Sequence, residues 1–220
     1  MTKPTIQTVY NPFFEKIMFC TYTICAASCL YCSAFYHTVS CHSEHVYCVF
    51  QQLDFAGIAI LITGSYLPYL YYIWYCVPFW QTFHSLMIAG LGCFVIGFTQ
   101  SKIFTEQGKK LLRSWIFIGY GGFSVIPMCH AFYVFGWRGM FFDFCFGELL
   151  AMGALYLIGV AIYINKVPER CFPGRFDCFF HSHSIFHIFV VMAILVYMIG
   201  MTGLRNNRLA MEDSNCSGFQ

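Results

Sequence analysis

Six apolar runs fill most of this chain, at residues 17–40, 53–76, 80–99, 112–135, 140–164 and 184–204. Each is close to the ~20 residues that a helix needs to cross a bilayer. A lipid interior satisfies no backbone N–H or C=O group, so runs of this length fold as helices. The fold class is therefore all-α: a polytopic membrane helical bundle with six transmembrane helices. Residues 1–16 form a juxtamembrane start, 17–204 the bundle, and 205–220 a polar tail that is expected to be mobile. The first run is too long for a signal peptide, lacks a small-x-small cleavage site, and is followed by further spans.

Composition agrees. Hydrophobic residues make up 59% of the 220 positions and charged residues only 10%, with a mean hydropathy of +0.63. A soluble domain carries about 25% charged residues. Net charge is +2, and no basic patch interleaved with aromatics is present, so nothing here suggests a nucleic-acid partner. The aromatic share of 20% suits lipid-facing surfaces and interfacial belts. Most of the thirteen cysteines lie inside apolar runs and read as small hydrophobes, including the Cys29–Cys32 C-x-x-C pair on one helix. Their odd number and scattered spacing argue against a disulfide framework.

The links fall into two sets. Pro78 and the Gly136–Trp137 pair mark tight turns on one side. Longer links, 41–52, 100–111 and 165–183, lie on the other and carry Lys102, Lys109, Lys110, Lys166, Arg170 and Arg175, with Arg113 just beyond. The short-turn side carries Arg138, and Lys3, Lys16, Arg205 and Arg208 weigh against the asymmetry. Positive charge concentrates in the cytoplasm, so the longer links are expected inside and both termini outside.

That topology assembles a cluster. His183 and His187 are four apart at the start of the last run, so in a helix they share a face, roughly 5–6 Å apart at Cβ. Ser33 and His37 are likewise four apart at the inner end of the first run, and Asp54 opens the second run at the same depth. Three imidazoles can hold a catalytic zinc that keeps one position open, and Asp54 is placed to act as general base, with Ser33 orienting a ring or stabilising an oxyanion. The plainer reading of a single interfacial histidine is an amphipathic boundary residue. The joint occurrence of His37, His183, His187 and Asp54 favours the metal site. His181 points to another face, His42 and His45 read as solvated loop residues, and His84 lies near the outer interface. His130, after Pro127, reads as a hydrogen-bonded packing residue at a proline kink, with a ligand-cavity role as the alternative. Asp143 has no evident role, and Glu148 should face the bundle interior or a wet cavity.

These residues sit in stretches with a family likeness. Ser33-Ala-Phe-Tyr-His37-Thr-Val-Ser-Cys-His42-Ser-Glu44, Leu53-Asp54-Phe-Ala-Gly57-Ile-Ala, Gly64-Ser65 with Pro68, and Leu70-Tyr-Tyr72 are joined by two longer matches. Those are Val167-Pro-Glu-Arg170-Cys-Phe-Pro-Gly-Arg-Phe-Asp177 and Ser182-His183-Ser-Ile-Phe-His187. Over residues 10–204 the chain resembles the progestin and adipoQ receptor family, most closely the adiponectin receptors. The resemblance implies a seven-helix membrane receptor with its amino end inside and its carboxyl end outside, in the plasma membrane. It implies Zn2+ held by His37, His183 and His187, a water-positioning Asp54 and the motif serine Ser33. Its implied activity is breakdown of a ceramide-like lipid amide to sphingosine and free fatty acid, linked to AMP kinase signalling and fatty-acid oxidation. An extracellular adiponectin-like protein would be the ligand, and self-association is an option.

Alkaline ceramidases share the serine, histidine and aspartate pattern. Against the family pattern, the chain is expected to begin at the family's second helix, so that six spans lack the first. One rival reading is a hormone receptor with a purely structural zinc. Another, a transporter, lacks the inverted repeat that such proteins often show.

Overall fold

The computed structural model describes residues 12–105, 108–176 and 180–212, so Asp177 of the loop motif lies outside the described residues. Those residues form helices α1 Pro12–Val39, α2 Glu44–Ile73, α3 Pro78–Thr99, a short α4 Lys102–Thr105, α5 Lys110–Gly122, α6 Val125–Arg138, α7 Phe146–Asn165 and α8 Ser182–Glu212. A π-helical turn, Gly139–Asp143, follows α6. No strand occurs among the described residues. Six helical segments are long and apolar enough to cross a membrane, with α5, α6 and the π turn counted as one.

The element boundaries depart from the apolar runs for local chemical reasons. α2 begins at Glu44, not at 53, because the Ser43 side chain caps it by accepting from the Val46 N–H at 3.3 Å. His45 is therefore an exposed helical residue rather than a loop residue, while His42 stays in the turn. The expected kink near Pro127 is a break between α5 and α6 at Phe123–Ser124. The Tyr66 hydroxyl serves the break: it donates to the Gly121 carbonyl and accepts from the Ser124 N–H. Gly136 adopts φ +68°, a left-handed value that a side chain resists, and the chain turns there into the π helix. The fifth span therefore starts at Phe146 rather than 140. The polar stretch after 204 is not a loose tail at first, because α8 continues to Glu212.

α2 is the central helix. It packs against α1 and α3 and also touches α5 and α8, while α7 packs along α8. Its last turns are buried throughout, from Tyr69 to Trp74. The α1–α2 seam is close because small residues face each other. A Cβ on Gly64 would lie 2.5 Å from the Cys25 Cβ, and one on Gly57 would lie 3.1 Å from the Cys29 Cα. Small side chains that allow close backbone approach are the usual means of joining helices in lipid. Cys25, Cys29 and Cys32 thus act as small packing residues, and all three are free thiols. Cys76, in the turn after α2, is disulfide-bonded, so the small-hydrophobe reading does not extend to it.

At the α1 start, Glu15 is buried and takes hydrogen bonds from Tyr72 Oη at 2.7 Å and from Arg205 Nε at 2.5 Å. This ion pair joins α1 to the end of α8.

Candidate metal centre

The sequence of antiparallel spans brings the last turn of α1, the first turns of α2 and the first turns of α8 to one end of the bundle. There His183 Nε2 lies 3.0 Å from His37 Nε2 and 3.2 Å from His187 Nε2. One ring nitrogen from each of the three histidines lies within 4.8 Å of the others. With Zn–N distances of 2.0–2.1 Å, tetrahedral geometry requires nitrogens about 3.3 Å apart. The donor set fits zinc in kind and number, and the two separations to His183 fit it in spacing. His183 and His187 are half-buried and His37 is exposed on the flank of α1.

Asp54 and Ser33 are both buried beside this cluster. The Ser33 hydroxyl and the His37 ring are close enough to Asp54 to act on its carboxylate, yet the Ser33 Oγ falls short of hydrogen-bond geometry and has no partner. A buried hydroxyl left unpaired calls for an explanation, and one at the edge of three convergent imidazoles is a donor available to a ligand. Polar neighbours on the same end include Gln51, whose Nε2 donates to Tyr47 Oη at 2.9 Å, and Tyr36, whose ring lies 4.9 Å from that of His37. His181 is outside the group of convergent nitrogens, although its ring stacks 6.3 Å from that of His183. Its ring accepts from the Ser184 N–H at 3.3 Å and pairs with the Ser184 hydroxyl at 3.0 Å.

A profile described as haemolysin-III related matches residues 2–198. The chain is 38% identical over 197 residues to progestin and adipoQ receptor-like protein 1 of Caenorhabditis elegans, and 38% identical over 199 residues to the adiponectin receptor protein of Drosophila melanogaster. Each alignment covers 90% of this chain. The chain belongs to the progestin and adipoQ receptor family. It is also 33% identical to the heptahelical transmembrane protein ADIPOR2 of Oryza sativa subsp. japonica, over 83% of this chain and 80% of that protein. The chain spans 45% of the length of the nematode and fly relatives. As an adiponectin-receptor-like family protein with six apolar spans, it is an integral multi-pass membrane protein.

His130 and Glu148 of this family protein take no part in the imidazole cluster. His130 is hydrogen-bonded, with its Nδ1 3.0 Å from His84 Nε2 and its ring against Trp74 and Trp80. Glu148 lines a cavity of about 10 Å³ with Tyr69, Cys145 and Tyr197, which is room for one water. Three contributors escaped sequence reasoning. The Tyr163 ring packs 5.2 Å from that of His183, and Lys110 Nζ lies 3.4 Å above the Tyr163 ring while donating to the Tyr163 carbonyl at 2.5 Å. Glu169 Oε1 accepts from Ser182 Oγ at 2.8 Å. Burial pushes the Glu169 carboxyl up, but backbone N–H bonds at Glu169 and Ser182 and the Ser182 hydroxyl outweigh it and hold it below its usual value. The loop motif around Pro168 was the one sequence cue to Glu169.

Proposed function

We propose that this protein is an adiponectin-receptor-type lipid amide hydrolase with a zinc ion held by His37, His183 and His187. The observation that carries the reading is the convergence of three imidazole nitrogens within 4.8 Å beside buried Asp54 and Ser33. A bound zinc supplies Lewis acidity toward a carbonyl and acidifies water at neutral pH. The three histidines are neutral when they ligate. Asp54 removes a proton from the attacking water and returns it to the amine nitrogen as the C–N bond breaks, releasing a free acid and an amine. The unpaired Ser33 hydroxyl donates to the oxygen that gains charge, in a low-dielectric setting where such a bond counts most. The exposed flank of His37 admits a substrate from the bilayer, which suits a ceramide-like amide.

Charge asymmetry favours the cytoplasmic side for this end and the outer side for the carboxyl end, and the family resemblance suggests the plasma membrane. The opposite end would receive an adiponectin-like protein, in keeping with the name of the fly relative. The test is metal content and ceramide hydrolysis on detergent-purified protein. Replacing His183 and His187 with alanine removes bound zinc. Asp54→Asn keeps zinc and abolishes turnover. Zinc retained at full stoichiometry in the double variant, or full turnover in Asp54→Asn, refutes the assignment.

A further inference from the structure

The first turn of a helix has four backbone N–H groups without intrahelical partners and is where helices fray. Here that turn carries His183, which must hold its place opposite His37 on another helix. Ser182, the first residue of α8, is 3% exposed, and its hydroxyl donates to Glu169. Glu169 itself lies within a hydrogen-bonded turn. The chain leaves α7 through Lys166 at φ 52°, then closes a turn with Arg170 N–H to Lys166 O at 2.8 Å and Cys171 N–H to Pro168 O at 2.9 Å. A carboxylate beside a helix N-terminus is also favoured by the helix dipole. Glu169 is outside the group of convergent ligand atoms, so it acts on the site through Ser182.

We propose that Glu169 is a positioning residue of the imidazole site: through Ser182 it pins the first turn of α8 to the α7–α8 connection and sets His183 and His187 at their distance from His37. This rests on the zinc reading above. Partners that orient metal ligands change affinity by about 10–100-fold when removed.

The experiment measures Zn2+ affinity of the full chain in detergent by chelator competition, together with the visible spectrum of the Co2+-loaded form. Ser182→Ala and Glu169→Ala each weaken zinc binding about tenfold or more and alter the Co2+ bands. The double variant is no weaker than Glu169→Ala alone, because that change already removes the bond to the Ser182 hydroxyl. Ser182→Thr, which keeps the hydroxyl, restores affinity and spectrum. Tyr66→Phe, a destabilising change at the α5–α6 break, leaves both readouts unchanged, which separates positioning from general stability. Wild-type affinity and spectrum in Ser182→Ala, or additive losses in the double variant, overturn the inference while leaving the zinc reading intact. No zinc uptake by the unaltered chain overturns both.

Discussion

Replacing Arg205 with methionine tests what holds the end of the bundle remote from the imidazoles. Glu15 is 2% exposed and Arg205 is 30% exposed, with two contacts between them, at 2.5 and 3.3 Å. Methionine keeps an apolar stem near the Phe19 ring, over which the guanidinium now lies at 5.1 Å. What is lost is the countercharge, leaving the buried carboxylate with Tyr72 as its donor among the described residues. Breaking a buried pair from one side costs about 3–5 kcal/mol. Partial exposure of Arg205 lets water reach the site, so the lower end, about 3 kcal/mol, applies. For a chain of this size about 1 kcal/mol shifts the thermal midpoint by 2–4 °C, so the expected drop is about 6–12 °C. The assay is thermal unfolding in detergent, read by size-exclusion recovery. Adding Glu15→Gln to Arg205→Met removes the stranded charge and should regain about half of the loss. A drop below about 2 °C for Arg205→Met, or a double variant as damaged as the sum of the singles, would refute the reasoning.

Two further outcomes follow from the packing. Gly64→Ala forces a Cβ to within 2.5 Å of the Cys25 Cβ; it should cost about 1–3 kcal/mol in thermal stability, and Cys25→Gly should recover part of it. Tyr66→Phe strips the α5–α6 break of the hydroxyl that serves Gly121 and Ser124; a loss of about 2 kcal/mol and faster amide exchange at Ser124 are expected.

The six spans were legible because length and apolarity alone decide membrane insertion. Their ends were not, because capping and proline chemistry set them. Ser43 and Glu44 form a helix start that hydropathy overlooks, so α2 was read as starting nine residues late. The α5–α6 break depends on Tyr66, which is remote in sequence and therefore invisible to a local reading. The histidine cluster was legible because four-residue spacing and antiparallel succession fix depth and face without side-chain detail. Tyr163 and Glu169 were not, since neither stands at a diagnostic spacing from a histidine. The Cys29–Cys32 pair reads from the sequence as small hydrophobes despite its C-x-x-C spacing. What it packs against, Gly57 on the facing helix, is visible only in the fold.

The two polar clusters also explain each other. Twenty-two residues separate Glu15 from His37 on α1, and the same number separates His183 from Arg205 on α8. At 1.5 Å per residue this is about 33 Å on each helix, close to the ~30 Å of a bilayer's hydrocarbon core. Because α1 and α8 run antiparallel, equal spacing lets the imidazoles meet at one boundary while the ion pair closes at the other. Between them, Tyr22 and Tyr197 pack with ring centroids 4.1 Å apart. Polar groups at the two boundaries avoid the deepest, most costly part of the lipid. One residue added to the middle of either helix would turn one end by ~100° relative to the other. Only one cluster could then form. The register of α1 against α8 is thus set twice, and the separation of His37 from His183 depends on contacts made on both faces of the membrane.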